Sequence, residues 1–325
     1  MARQGVSRRD LAGFALAGLL GAGGTRAAIV RSIHDASRLS TSEDFYIPPT
    51  NLTTIADIYR RMTAPVRVAG AGPFPFVVDT GANQSVISEE LATRLKLPGG
   101  APELLNGVAG TRMVPTTAAL LGLGSHLRKN ATLFVLPADA IGGAGMLGLN
   151  GLEGQRLTLD FRNQRLRIDP AGRLNAQPFD ITVPARRRDG QLTLIDADLS
   201  GVSLTAFIDS GAQNTIGNMV LYDLLTRRNS GGVWKGAKVI SVTGQTLEAQ
   251  MAELPNLRIA GMRLPTWPVA FADLHTFQMW NLNDLPAILI GVDVLTRFEQ
   301  VCLDFAHDEV RFRAPEAQAV WVARR

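Results

Sequence analysis

Two apolar residues, an aspartate, a hydroxyl residue, glycine and alanine occur in that order twice in this chain. The first copy is Val77-Val78-Asp79-Thr80-Gly81-Ala82 and the second is Phe207-Ile208-Asp209-Ser210-Gly211-Ala212. The two aspartates lie 130 residues apart (209 − 79). An Asp-(Ser/Thr)-Gly tripeptide arises by chance on the order of 0.1–0.2 times in a chain of this size, so two copies in matching apolar context point to a duplication. Each copy reads as an apolar strand that delivers a carboxylate to a tight glycine turn. A chain built this way has to fold as two similar halves, each with its own carboxylate turn.

The match continues beyond the hexapeptide, as expected of an internal repeat. In the first half Ser88 is a helix cap, Glu89 and Glu90 fill the first turn, Leu91, Leu95 and Leu97 follow, and Pro98-Gly99-Gly100 stops the helix. In the second half Asn218 is the cap, Leu221, Leu224 and Leu225 form the apolar face, Arg227 and Arg228 occupy the last turn, and Asn229-Ser230-Gly231-Gly232 stops it. These are ordinary start and stop signals. A glycine-bearing hairpin comes next, Gly107-Val108-Ala109-Gly110 in one half and Ser241-Val242-Thr243-Gly244 in the other. An apolar–Gly–strand unit closes each half. Met146-Leu147-Gly148-Leu149 leads to Leu159-Asp160-Phe161, and Leu289-Ile290-Gly291-Val292 leads to Leu303-Asp304-Phe305. Order and type agree while loop lengths differ.

Short β-branched runs broken by 32 Gly and 17 Pro favour a β-rich fold, and 325 residues suit two domains. The segments divide as follows. Residues 1–27 hold Ser7-Arg8-Arg9-Asp10-Leu11, an apolar stretch from Ala12 to Gly24 and a small-residue end, the pattern of a twin-arginine export signal. The apolar stretch is too short and too glycine-rich for a membrane span, so no stable membrane insertion is expected once the signal is removed. Residues 28–60 read as an N-terminal arm, 61–170 as lobe one with its first strand at Met62–Val68, 171–190 as a linker, and 191–325 as lobe two, with a last strand near Val320–Val322. The net charge of +4 comes largely from residues 1–27, which hold Arg3, Arg8, Arg9 and Arg26 against Asp10 and so carry +3. Without them the chain is near neutral, and nucleic acid is not an expected partner. Arg186-Arg187-Arg188 reads as a solvated turn. Cys302 is the one cysteine, flanked by Val301 and Leu303, so it reads as a buried thiol and no intrachain disulfide is possible.

The chemistry lies in the repeated turns. Gly81 and Gly211 let each backbone turn sharply and approach its partner, and Thr80 and Ser210 can hydrogen-bond across to hold the turns together. Two carboxylates at close range cannot both ionise cheaply; they share a proton and titrate as a pair. The ionised member can take a proton from a water while the protonated member polarises a carbonyl, which is general acid–base catalysis without a metal or cofactor. The bland alternative makes Asp79 and Asp209 turn residues after edge strands. His126, His275 and His307 show no ligand-like spacing and no partner carboxylate pattern, and Asp160 and Asp304 suit turn or edge roles. Trp234, Trp267 and Trp280 read as packing residues or as part of a cleft rim.

With Asp79-Thr80-Gly81-Ala82, Asp209-Ser210-Gly211-Ala212, Leu147-Gly148 and Ile290-Gly291 in place, the chain resembles the retropepsin/pepsin superfamily of aspartic proteases, in a single-chain form with two retropepsin-like lobes. The resemblance spans roughly residues 60–313. It implies an all-β, bilobal acid-protease fold with short helices, two pseudo-symmetric barrel-like lobes and a cleft between them. It also implies catalytic Asp79 and Asp209, dyad loops supported by Thr80, Gly81, Ser210 and Gly211, and ψ-shaped loops at Gly148 and Gly291. Flap hairpins are expected near Leu105–Pro115, with Gly107 and Gly110, and near Ile240–Met251, with Thr243 and Gly244. Neither flap holds a tyrosine, unlike the pepsin type, and Asn150 stands where the second repeat has Asp293. The resulting expectation is a periplasmic or secreted, monomeric endopeptidase acting on polypeptides. The alternative of the same fold is a non-catalytic peptide-binding module.

Overall fold

The computed structural model describes residues 49–57, 60–150, 152, 154–170, 181–188, 191–227, 235–259, 262–264 and 266–315. The export signal, the proposed strand at 320–322 and Trp234 lie outside them. The first half contributes β1 (Thr50–Thr53), β2 (Ile55–Ala56), β3 (Met62–Val68), β4 (Ala71–Val78), β5 (Val86–Ser88), β6 (Gly99–Gly107), β7 (Gly110–Leu123), β8 (His126–Leu136), β9 (Gly145–Leu147), β10 (Gln155–Asp160) and β11 (Arg165–Pro170). The second contributes β12 (Ile181–Arg188), β13 (Gln191–Leu199), β14 (Val202–Ile208), β15 (Ile216–Gly217), β16 (Lys235–Ile240), β17 (Thr246–Leu254), β18 (Leu257–Ile259), β19 (Met262–Arg263), β20 (Trp267–Phe271), β21 (Ala287–Ile290), β22 (Gln300–Asp304) and β23 (Glu309–Arg313). Among the described residues five short helices intervene: α1 (Glu89–Arg94), α2 (Ala138–Ile141), α3 (Met219–Arg227), α4 (His275–Met279) and α5 (Val292–Leu295). The fold is β-rich, as the sequence implied.

Corresponding strands pair in the same way in both halves. β3 pairs with β4 and with β7, and β13 pairs with β14 and with β18. Both first hairpins turn on two residues with positive φ, Ala69-Gly70 and Ser200-Gly201, the signature of a type I′ turn whose twist matches the strands. The strand leading to each aspartate then pairs in parallel with the later apolar–Gly strand. Val77 lies opposite Met146 on β4 and β9, and Phe207 lies opposite Leu289 on β14 and β21. Parallel neighbours cannot be joined by a tight hairpin, so a long excursion separates them and carries the helix and hairpin of each half.

The helix caps form as the sequence implied. The Ser88 hydroxyl accepts from Leu91 N at 3.1 Å to cap α1, and the Asn218 side chain accepts from Leu221 N at 3.0 Å at the start of α3. Each cap satisfies an amide the helix leaves unpaired.

The segment boundaries read from sequence differ from the strand layout at two places. Residues 181–188, expected as part of a linker, form β12, which pairs with β23 and β13. β1, expected in an arm, pairs with β11. Together β1, β11, β10, β22, β23 and β12 make a six-stranded run in the larger sheet, with β10 from the first half antiparallel to β22 from the second. One face of this run presents Leu157, Leu159, Leu166, Ile168, Val301, Leu303, Val310 and Phe312, all fully buried, to a core shared with residues of both halves. Alternation in the sequence marked these strands, but their partners are non-local, so the shared sheet was not visible there. Cys302 is buried, as expected, and burial raises its thiol pKa.

Candidate active site

Asp79 and Asp209 follow the ends of β4 and β14, and the two loops after them meet face to face. A Cβ placed on Gly81 would fall 2.5 Å from Cγ of Asp209, and one on Gly211 would fall 2.4 Å from Cγ of Asp79. Each glycine is therefore the floor on which the opposite carboxylate lies. The two aspartates are only 7% and 8% exposed, and each lies close enough to the other to affect its proton affinity.

Thr80 and Ser210 cross-link the loops. The Thr80 hydroxyl donates to Ile208 O and accepts from Ser210 N, both at 3.0 Å. The Ser210 hydroxyl donates to Val78 O at 2.7 Å and accepts from Thr80 N at 3.1 Å. Both residues are buried. Thr80→Val removes two of these bonds and strands a carbonyl and an amide. At about 1–3 kcal/mol for each buried group left unmatched, we expect a loss of about 2–6 kcal/mol in denaturant unfolding. Thr80→Ser keeps the hydroxyl and should retain most of that stability. The Thr80→Val/Ser210→Ala double variant should lose less than the two single losses together, because the bonds form one network.

The later apolar–Gly units hold each loop from behind. Asp79 N donates to Leu147 O and Asp209 N to Ile290 O, each at 3.0 Å. In return Leu149 N donates to Ala82 O at 2.8 Å and Val292 N to Ala212 O at 3.0 Å. Two supporting residues escaped the sequence reading, Ser85 and Thr215. Their hydroxyls accept from Gly148 N and Gly291 N, each at 3.1 Å. A signal for them existed, since each stands six positions after its aspartate (85 − 79 and 215 − 209). Asn150 and Asp293 are equivalent in place and differ in partners. The Asn150 amide meets Ser85 Oγ at 3.2 Å. Asp293 accepts from Thr215 Oγ1 at 2.7 Å and from Trp267 Nε1 at 3.0 Å.

The electrostatics of the pair are unequal. Burial is the main cause that lifts the Asp79 pKa well above the ordinary carboxylate value, and the neighbouring charge of Asp209 lifts it further. Burial also raises Asp209, but its loop offers more donors to the ionised form. Asp209 Oδ1 accepts from Gly211 N at 2.9 Å and Ala212 N at 3.0 Å, whereas Asp79 Oδ1 accepts from Gly81 N at 2.8 Å. Donors aimed at a carboxylate favour its charged form, so Asp209 is raised less than Asp79.

The two hairpin turns also meet. A Cβ on Gly107 would lie 2.5 Å from Ser241 Oγ and 3.0 Å from Thr243 Oγ1, and Arg112 Nη1 donates to Thr243 O at 2.8 Å. Ser241 and Thr243 are buried, although they sit on a hairpin turn. Gly110 faces the Gln245 side chain, and Gly244 turns with a positive φ. Each turn packs against the opposite half. Val108 joins an apolar cluster of the second half that also takes in Ala212, and His275 N donates to Val108 O at 2.8 Å. Val242 joins a cluster of the first half that contains Val77.

Other sequence readings find their places here. Trp267 and Trp280 are packing residues. Trp267 stacks under Arg297, and Trp280 lies edge-on to Phe207 at 4.5 Å. Asp304 is fully buried at a turn, where it accepts from Ala306 N at 3.1 Å. His307, read as lacking a carboxylate partner, sits 3.0 Å from Asp304. The turn between β22 and β23 brings the two side chains together, a closeness that linear spacing did not display. Among the described residues there is no group of three or more His, Cys, Asp or Glu placed to hold a metal ion, and no helix long and apolar enough to cross a membrane.

Two repeated lobes that press one buried aspartate each into a common loop lattice define the class of molecule, a bilobal acid-protease fold. A family model described as aspartyl protease matches residues 64–150, from within β3 to the end of the first apolar–Gly unit. The match supports assigning the chain to the aspartic protease superfamily. No curated protein matches it.

Proposed function

We propose that the chain is an exported aspartic endopeptidase whose Asp79/Asp209 dyad activates water. The family match supports a protease function. The observation that carries the finer reading is the close approach of two buried carboxylates, one from each half, each resting on the other's loop glycine; in this reading they share one proton and Asp79 holds it. In this reading a water lies between the carboxylates. Asp209 takes a proton from it as its oxygen attacks the carbonyl carbon of the scissile peptide. Asp79 gives its proton to the carbonyl oxygen, forming a neutral gem-diol. Asp209 then passes its proton to the amide nitrogen while a gem-diol hydroxyl returns one to Asp79, and the C–N bond breaks to leave a carboxylic acid and an amine. Extended polypeptide is the natural substrate for a site roofed by two hairpins, since the hairpin edges offer backbone groups to pair with it.

The experiment is digestion of a mixed peptide library by the purified chain across pH, with a chelator arm. Cleavage that persists in chelator and vanishes in Asp79→Asn is the expected result. Tight binding of unfolded polypeptide without cleavage at any pH would transfer the reading to a peptide-binding module. Export to the periplasm or beyond follows from Arg8-Arg9 and the apolar stretch behind them. Mass spectrometry of the N-terminus after cell fractionation tests it, with loss of about the first 27 residues expected.

A further inference from the structure

Arg61 is 6% exposed and immediately precedes β3. Its guanidinium donates through Nε to Asp57 Oδ2 at 2.8 Å, through Nη2 to Ile141 O at 2.9 Å, and through Nη1 to Gly211 O at 3.4 Å. The Asp57 carboxylate also caps the backbone, accepting from Arg61 N at 2.8 Å. A residue of the first half thus reaches the aspartate loop of the second. Gly211 is the residue whose amide holds Asp209 Oδ1 and whose Cα supports Asp79. At the corresponding place in the second half, immediately before β13, the sequence has Gly190.

We propose that Arg61 is a positioning residue of the dyad, which places one buried positive charge on the Asp209 loop and so breaks the symmetry of two otherwise matching carboxylate turns. The charged groups concerned are few. Asp79 and Asp209 face each other from their two loops, Arg61 faces both from the segment before β3, and Asp57 faces Arg61 from the turn ahead of it. The attraction of Arg61 opposes the upward pull of burial on both carboxylates. It therefore keeps one of them ionised at a lower pH than two desolvated acids would reach alone. Only the catalytic consequence of this charge rests on the dyad reading above; the charge itself can be tested in a protein with no activity.

The test follows the aspartate side-chain carboxyl resonances by carbon NMR against pH in the full chain, with Asp79→Asn used to assign the pair. Arg61→Gln is expected to move the dyad midpoints up by about one pH unit. Arg61→Lys should leave them near wild type. Asp57→Asn, which removes the counter-charge and keeps Arg61, should move them down. Unchanged midpoints in Arg61→Gln overturn the proposal. Should that variant fail to fold, midpoints in Asp57→Asn that stay in place or rise overturn it. Where the wild type cleaves peptides, both limbs of its kcat/KM profile should move up in pH in Arg61→Gln. Midpoints that shift as stated in a chain that cleaves nothing would sink the protease reading and leave the role of Arg61 standing.

Discussion

Asp79→Asn and Asp209→Asn should each lower cleavage by at least about 100-fold, the lower end of what a positioned acid or base contributes. The same substitutions should stabilise the fold at neutral pH. Both carboxyls have pKa values raised in the folded chain, chiefly by burial. Between the unfolded and folded pKa the folded state holds more protons, so stability falls as pH rises through that window. The penalty is absent below about pH 4 and complete above the folded values, and each tenfold change in proton affinity is worth about 1.4 kcal/mol. Thermal melts should therefore show either variant above wild type at pH 7, with the gap closing toward pH 4. Wild-type cleavage in both variants, or a gap that widens as pH falls, would contradict the shared-proton account.

The four loop glycines should divide into two groups. Gly81→Ala and Gly211→Ala place a methyl against the opposite aspartate's carboxylate at 2.4–2.7 Å. That carboxylate is a short side-chain end, so the fold can yield by displacing it. The expected result is a folded protein with cleavage reduced about 100-fold or more, because reacting groups shifted by an ångström lose their alignment. Gly148→Ala and Gly291→Ala meet backbone instead, Gln84 and Ala82 in one case and Asn214 and Ala212 in the other, at 2.7–3.0 Å. Backbone cannot move aside without breaking the parallel strand pairing behind the loop. Overpacking of this kind costs about 1–3 kcal/mol or more, so these two variants should lose stability first and activity with it. Chemical unfolding alongside peptide cleavage separates the groups. A destabilised Gly81→Ala with normal turnover would reverse the assignment.

Much of the candidate site was legible before any coordinates because the duplication doubled every local signal. Asp79 and Asp209, the hydroxyl and glycine after each, the helix caps Ser88 and Asn218, and the glycines at 148 and 291 all recur at matching places in the order of elements. Ser85 and Thr215 carried the same kind of signal and were passed over because serine and threonine are ordinary loop residues. Arg61 carried none. Its partners are a carboxylate four residues back and carbonyls 80 and 150 residues ahead, and nothing in the second half repeats it. The six-stranded run through β10 and β22 was hidden for the same reason, since its pairing joins residues remote in the chain, such as Leu157 and Leu303, 146 apart (303 − 157).

By itself the sequence determined that two similar units exist, what each contains and which carboxylate each offers, because strands, caps and turns are local and written in short patterns. Only the tertiary structure decided that the two Asp-Thr/Ser-Gly turns lock hydroxyl to backbone, that each glycine floors the other's carboxylate, and that Asp209 gathers more donors than Asp79. Those relations depend on distances between residues remote in the chain, and on burial. Burial raises the proton affinity of two ordinary acids, and it exists only once both halves are in place.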